Sequence, residues 1–338
     1  MEAIKKNGRI TISDVASHAG VSRAAIYAVI GGKETNIGVS ETTRNRVLSA
    51  IASLGYIPNE SARTLASGRS KSIGMVLQNS ETEVARLLTE AVTEIFSQHG
   101  FMVITTYSAS NPDKERAILK SFFAKNIGGL IIARINPEFN ADMLEQFDNA
   151  GIPVINIARA RDVAFDEPAV MVLTTGHLAE CGITRIGFLS YAGKLVFSGQ
   201  ERLHYLQNAL KFHPEMKIVS IAEAGNYADC RAYAEKLKNT NPADRPQAII
   251  CYNDKLAGGL LHNLLEIGLR VPEDIGLVGV DGYADPFLPL ALTTIRLPVD
   301  KLAQAIWSIY KKERQVNNPE LIAPELILGA TTRVRKDH

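Results

Sequence analysis

The spacing of apolar residues changes character near residue 72. Before it, apolar positions recur at three- and four-residue intervals in short stretches. Thr11-Ile12-Ser13 offers hydroxyls ahead of Asp14-Val15-Ala16, which marks a helix start, and Val15, Ala16 and Ala19 share one face. Gly20 breaks that helix and Val21 fills the turn. Ser22 caps a second helix, Arg23 to Ile30, with Ile26, Val29 and Ile30 facing inward, and Gly31-Gly32 ends it. Ser40 caps a third helix whose stripe is Val47, Leu48, Ile51 and Leu54, and Gly55 stops it. After Tyr56-Ile57-Pro58, residues 59–66 read as one more short helix. Two short helices joined by a glycine-containing turn form a helix-turn-helix, whose second helix enters a major groove by its amino terminus.

Beyond residue 72 the pattern is one of continuous apolar runs separated by helical stretches. Strands are expected at Ile73–Leu77, Phe101–Thr105, Gly129–Ala133, Pro153–Ile157, Arg185–Leu189, Lys217–Ile221, Gln247–Cys251 and Gly276–Val280. Helices are expected at Glu81–His99, Asp113–Lys125, Glu201–Lys211 and Asp254–Gly268, among others. Such alternation implies parallel sheets with helices on both faces, and ligand sites at the carboxyl ends of strands. The fold class expected is therefore an all-α helix-turn-helix head followed by an α/β core of two doubly wound subdomains.

Composition sharpens this picture through the placement of charge. The net charge of +1 conceals an asymmetry. Residues 1–72 hold ten basic and five acidic groups, a net of +5, and the remainder holds 27 basic and 31 acidic, a net of −4. A small basic head on a slightly acidic body fits nucleic-acid binding by the head, against the plainer alternative of an uneven solvated surface. The hydrophobic fraction of 46% and charged fraction of 22% exclude a disordered or fibrous chain. No run approaches the roughly 18 apolar residues of a membrane span, and MEAIKKNGRITI lacks the apolar core of a secretion signal. Three cysteines without CxxC spacing suit a reducing cytoplasm.

The segments TISDVASHAGVSRAAIYAVI and SETTRNRVLSAIASLGYIPNESARTLASGRSKSIGMVL resemble the amino terminus of a lactose-repressor/galactose-repressor (LacI/GalR) family transcriptional regulator. GIPVINIAR, HLAECGITRIGFLS, AIICYNDKLAGGLL, GLRVPEDIGLVGVDG, LTTIRLPVDKLAQ and PELILGATTR continue that resemblance in the family's order, over about residues 10–333. The resemblance implies a helix-turn-helix DNA-binding domain at 1–58, a hinge helix and linker at 59–72, and a periplasmic-binding-protein-like effector-binding and dimerisation core at 73–338. Within the core it places an N-subdomain at about 73–160 and 285–298, and a C-subdomain at about 161–284 and 299–338. The chain is expected to cross between them near 159–165, near 281–292 and near its carboxyl end.

By that resemblance Arg23 is a base reader, since its fork suits the O6 and N7 of guanine; a phosphate contact or a solvated arginine is the alternative. Ala24 offers a methyl group to a thymine methyl. Tyr27 touches backbone or base, or packs. Ala28 stands where the family usually has an arginine. Thr11, Ser13 and Ser22 suit phosphates at helix starts, and capping alone is their simpler role. In the hinge, Leu65 matches a leucine that wedges into the minor groove, with Asn59, Ala62 and Ala66 along the same groove. A helix this short is marginal alone in water, so it is expected to order on DNA. A homodimer on a pseudo-palindromic operator follows, with residues 81–99 and 113–125 as dimer face, and no tetramerising coiled coil.

No GxxxxGK[ST], GxGxxG after a strand, HExxH or GxSxG occurs, and the seven histidines lack ligand spacing. Neither an enzyme, a cofactor nor a metal is expected. Candidate effector contacts are Asn79, Arg134, Arg159, Tyr191, Arg202, Asn253 and Asp281. Asn253 and Asp254 serve equally as helix caps, and Arg202 reaches the cleft or braces the fold. Gln78 to Glu83 replaces the family's aspartate and Asn-Pro-aromatic stretch, and Val172 replaces an arginine. The effector expected is a sugar, sugar acid or related metabolite, with the arginines pointing to an anionic or atypical one. A solute-binding receptor would suit the body alone, but the basic helical head argues against it. The absent phosphate loops argue against a nucleotide-dependent enzyme.

Overall fold

The computed structural model describes residues 10–30, 38–57, 70–78, 82–134, 136, 138–157, 162–192, 196–283, 285–312 and 319–333. The head comprises α1 (Ile12–Ala19), α2 (Arg23–Ile30) and α3 (Glu41–Leu54). Its core is Val15, Ala16, Ala19, Ile26, Val29, Val47, Ala50 and Tyr56, with Ile30, Ile51 and Leu54 packed against it. Leu48, expected inside, is 50% exposed. The buried face of α3 runs Val47, Ala50, Ile51, Leu54, and Leu48 lies one position off it, about 100° around the helix. Gly20 has φ 62°, and Val21 N–H bonds Ala16 C=O at 3.1 Å, which turns the chain from α1 toward α2.

The core has two lobes. In the first, β1 (Ser72–Leu77), β2 (Met102–Tyr107), β3 (Gly129–Ile132) and β4 (Val154–Asn156) form a parallel sheet in the order β2-β1-β3-β4. Strand β1 shows why it sits at the centre. Ile73, Met75 and Leu77 enter one buried cluster, and Val76 enters the other. The first cluster is closed by α4 (Glu83–Gln98) and α11 (Val299–Tyr310), the second by α5 (Pro112–Ala124) and α6 (Ala141–Asn149). At one end of the first cluster Trp307 meets Phe96 edge-on at 4.9 Å, lies over His99 at 4.1 Å and stacks with Tyr310 at 5.8 Å.

The second lobe holds β6 (Arg185–Tyr191), β7 (Lys217–Ala224), β8 (Ala248–Cys251), β9 (Gly276–Asp281), β10 (Thr293–Arg296) and β12 (Glu325–Ile327). Their order is β12-β10-β9-β8-β6-β7, all parallel except β12 against β10. Helices α7 (Glu167–Glu180) and α8 (Val196–Ala209) cover one face, and α9 (Tyr227–Asn239) and α10 (Asp254–Glu266) the other. A short parallel pair, β5 (Val163–Phe165) with β11 (Glu320–Ile322), lies between them; Phe165 and Val84 pack against clusters of both lobes.

All eight strands expected from the apolar runs are present. The return of the chain differs from the expectation. Residues 293–296 form β10 of the second sheet, whereas α11 packs on α4 of the first lobe. The assignment of 285–298 to the first half and of 299 onward to the second is thus reversed for these elements. The crossings fall near 157–166, 297–298 and 322–325 rather than at 281–292. The reason is physical: Thr293 to Arg296 pairs directly with Val278 to Asp281. The following Val299, Leu302, Ala303 and Ile306 match the apolar face of α4.

Candidate DNA-reading head and effector cleft

In the head, Thr11 and Asp14 form a reciprocal capping box. Thr11 N–H donates to Asp14 Oδ2 at 2.8 Å, and Asp14 N–H to Thr11 Oγ1 at 3.4 Å. Ser22 Oγ accepts from Ala25 N–H at 3.2 Å, and so caps α2. The hydroxyls of Thr11 and Ser22 are therefore engaged in capping, while Ser13 is exposed in the first turn of α1. Arg23 and Ala24 are exposed at the start of α2, and Tyr27, one turn on, is 38% exposed. These three share a surface that Ala28, 2% exposed, does not join. Arg46, by contrast, is spent inside the head: its Nη2 bonds Ala19 C=O and Gly20 C=O at the end of α1. Asn59, Ala62, Leu65 and Ala66 lie outside the described residues.

In the core, the candidate residues gather at the carboxyl ends of strands, as a doubly wound sheet requires. Tyr191 ends β6, Tyr252 and Asn253 follow β8, and Asp281 ends β9. Arg202, on α8, is 6% exposed. Its Nε and Nη2 donate to both oxygens of Glu167, at 2.9 and 3.0 Å, at the start of α7. Its Nη1 donates to the Tyr252 carbonyl, and its guanidinium lies 4.6 Å over the Tyr252 ring. Burial opposes its charge, but Glu167 and Tyr252 outweigh burial and hold its pKa above the usual arginine value. The Tyr191 ring lies 6.3 Å from that of Tyr252.

Asp254 and Asp281 complete this wall. Asp254 Oδ1 accepts from Thr294 Oγ1 at 2.5 Å, and Oδ2 from Tyr283 N–H at 2.9 Å. Burial pushes its carboxyl up to about 6 against those hydrogen bonds. Gly282 turns the chain here with φ 79°, and a Cβ on it would sit 2.3 Å from Arg296 Cα. Asp281 is 6% exposed with φ 124°, an unusual conformation for a residue with a side chain. Burial pushes its carboxyl well above the ordinary range; Arg202 opposes this, and Asp254, Glu167 and Glu83 add to it. Asn253 Oδ1 accepts from Leu256 N–H at 2.9 Å, so it caps α10.

The first lobe contributes differently. Arg134 follows β3 and is 3% exposed; its Nη2 donates to Phe139 C=O at 2.7 Å, and Gln78 Nε2 donates to its carbonyl at 3.3 Å. It braces the loop that it begins. Asn79 and Arg159 lie outside the described residues. Sequence reasoning missed Glu167, Tyr252 and Glu83. Asp166-Glu167-Pro168 carries a helix-start signature that would have put an acid at the head of α7, since Asp166 caps Ala169 N–H at 3.1 Å. Nothing local announces that Glu167 pairs with Arg202, 35 positions on. Among the described residues no group of three or more His, Cys, Asp or Glu could hold a metal ion, and no helix is long and apolar enough to cross a membrane.

A helix-turn-helix head on a two-lobed α/β core defines a DNA-binding transcriptional regulator rather than an enzyme, and the chain belongs to the LacI family of bacterial regulatory proteins. The family model for bacterial regulatory proteins of the lacI family matches residues 11–59, and that for the periplasmic binding protein-like domain matches 175–332. The chain is 32% identical over 321 residues to the HTH-type transcriptional repressor PurR of Proteus mirabilis, covering 92% of each. It is 31% identical over 325 residues to the protein of that name from Escherichia coli O1:K1, again covering 92% of each. Among solved structures, a lac repressor dimer bound to operator and the anti-inducer ONPF shares the fold at TM-score 0.81, with 23% identity, over 96% of this chain and 99% of that one. A LacI-family regulator from Silicibacter pomeroyi does so at TM-score 0.76, with 23% identity, over 95% and 99%.

Proposed function

We propose that the protein is a cytoplasmic repressor that binds a pseudo-palindromic operator as a homodimer and answers to a small-molecule effector held between the lobes. The observation that carries this reading is the exposed amino-terminal turn of α2, where Arg23, Ala24 and Tyr27 stand free of the head's core. The PurR relatives, named as repressors, and the operator-bound lac repressor dimer support it. Arg23 reads a guanine edge and Ala24 meets a thymine methyl, while Tyr27 lies along the backbone. Amides at the starts of α1 and α2, around Thr11, Ser13 and Ser22, face phosphates. Asn59, Ala62, Leu65 and Ala66 form the hinge in the minor groove, where paired Leu65 side chains bend the DNA.

The effector binds among Arg134, Tyr191, Arg202, Asn253 and Asp281, with Asn79 and Arg159 completing the opposite wall. It closes the lobes on each other, moves the two first lobes of the dimer and shifts the paired hinges. Selection of bound sequences from a random DNA pool by the full-length protein tests the reading. A recovered pseudo-palindrome, retarded in a mobility-shift assay, is the expected result. Recovery of no sequence above non-specific DNA, with or without metabolites, sinks it.

A further inference from the structure

The second lobe presents an excess of buried negative charge to the cleft, and this selects a class of effector. Asp281 is the decisive group. Its side chain is more than nine-tenths buried at the carboxyl end of β9, and its carboxylate accepts no hydrogen bond from any described residue. Buried carboxylates are ordinarily paired or hydrogen-bonded, so an unpaired one facing a ligand cleft is a recognition element awaiting its partner.

Arg202 does not fill that role. Both of its outer fork positions on one side are taken by Glu167, and its remaining terminal nitrogen by the Tyr252 carbonyl. The strongest charges acting on Asp281 are one positive, Arg202, and three negative, Asp254, Glu167 and Glu83. Glu83 matters most for geometry, because it begins α4 in the first lobe and faces Asp281 from the other side. Its own cation, Arg86, is exposed and shared with Glu90. Arg296, the other guanidinium near this wall, lies over the Tyr283 ring at 5.7 Å, within reach of Asp300 and Glu325.

We infer that the effector carries a protonated nitrogen, an ammonium or amidinium group, which seats against Asp281 between the two lobes. A neutral polyol could donate to Asp281 but would leave the buried excess of negative charge uncompensated. An anion would add to it. A cation supplies donors and charge together, and in a site shielded from water that compensation is strong. It would also draw Glu83 toward Asp281 and so couple binding to lobe closure. The arginine-based expectation of an anionic effector is thereby inverted: Arg134 is folded back on its own loop, and Arg202 is neutralised by Glu167.

This inference rests on the cleft being the effector site. The test is equilibrium dialysis of the full-length protein against a low-molecular-weight bacterial extract, with mass spectrometry of the compounds enriched on the protein side. The compounds enriched are expected to bear a nitrogen protonated at neutral pH. Asp281→Asn should lower their enrichment roughly tenfold or more, and Glu83→Gln, at a half-exposed surface position that does not hold the fold, by about threefold. Enrichment of neutral or anionic compounds that Asp281→Asn abolishes overturns the charge assignment and leaves the cleft in place. Enrichment insensitive to both substitutions, or no enrichment at all, overturns the cleft as effector site.

Discussion

The head and the second lobe both display arginines, yet use them in opposite ways. Arg23 stands exposed at a helix start, while Arg202 is sealed beneath Tyr252 and clamped to Glu167. In the head, stability comes from small apolar residues and caps, so the reading surface is free to vary with the DNA it meets. In the lobe, the same atoms that shape the cleft also hold strand ends together. Substitutions should therefore separate the two regions: those in the cleft cost folding, those on the reading face cost binding.

The largest expected effect is Arg202→Ala. It leaves Glu167 unpaired and Asp281 without its one nearby cation, and should destabilise the core by about 3 kcal/mol or more in thermal or denaturant unfolding. An Arg202→Ala protein as stable as the parent would mean that the cleft, like the head, keeps its charges for ligands alone. Next is the pH dependence set by Asp254. Its folded value of about 6 lies above the 3.8 of a free aspartate, so the folded protein binds the extra proton between those limits. The contribution of Asp254 to stability is complete below about pH 4 and lost as pH rises through 6, on the order of 3 kcal/mol in all. Asp254→Asn should remove that part of the slope from unfolding free energies measured across pH 4–7.

On the head, Arg23→Ala should leave unfolding unchanged and cost about 1–3 kcal/mol of operator affinity, with relaxed preference at one base pair per half-site. Anisotropy titrations with single-base operator variants measure this; equal weakening on every sequence would make Arg23 a phosphate contact. The smallest effect is Thr11→Ala, which removes half of the capping box. A loss of about 1 kcal/mol in head stability is expected, seen as faster amide exchange in α1 with the core unaffected.

The head was almost wholly legible in the sequence because its determinants are local. Thr11 with Asp14, Gly20 and Ser22 each act within four residues, and their roles follow from residue type. Only Leu48 went astray, since neighbouring apolar positions on a helix do not reveal which one faces in. The central strands of the core were equally plain, being apolar on both faces. Strands β5, β11 and β12 were not, because each has three residues and draws its identity from a distant partner. The same applies to the crossing at 297–298: LTTIRLPVDKLAQ announces a strand and then a helix, but not that they belong to different lobes. The cleft was legible as strand ends. Its charge balance was not, because Arg202–Glu167 and Asp254–Thr294 are contacts that only the folded sheet creates.

Trp307 is the chain's one tryptophan, and its nest against Phe96, His99 and Tyr310 gives the molecule a native optical label. Light absorbed selectively by indole is emitted from a single known spot in the first lobe, while the head and the second lobe stay dark. A change in colour or intensity on adding DNA or a metabolite is then a signal from that lobe alone, obtained without attaching a dye.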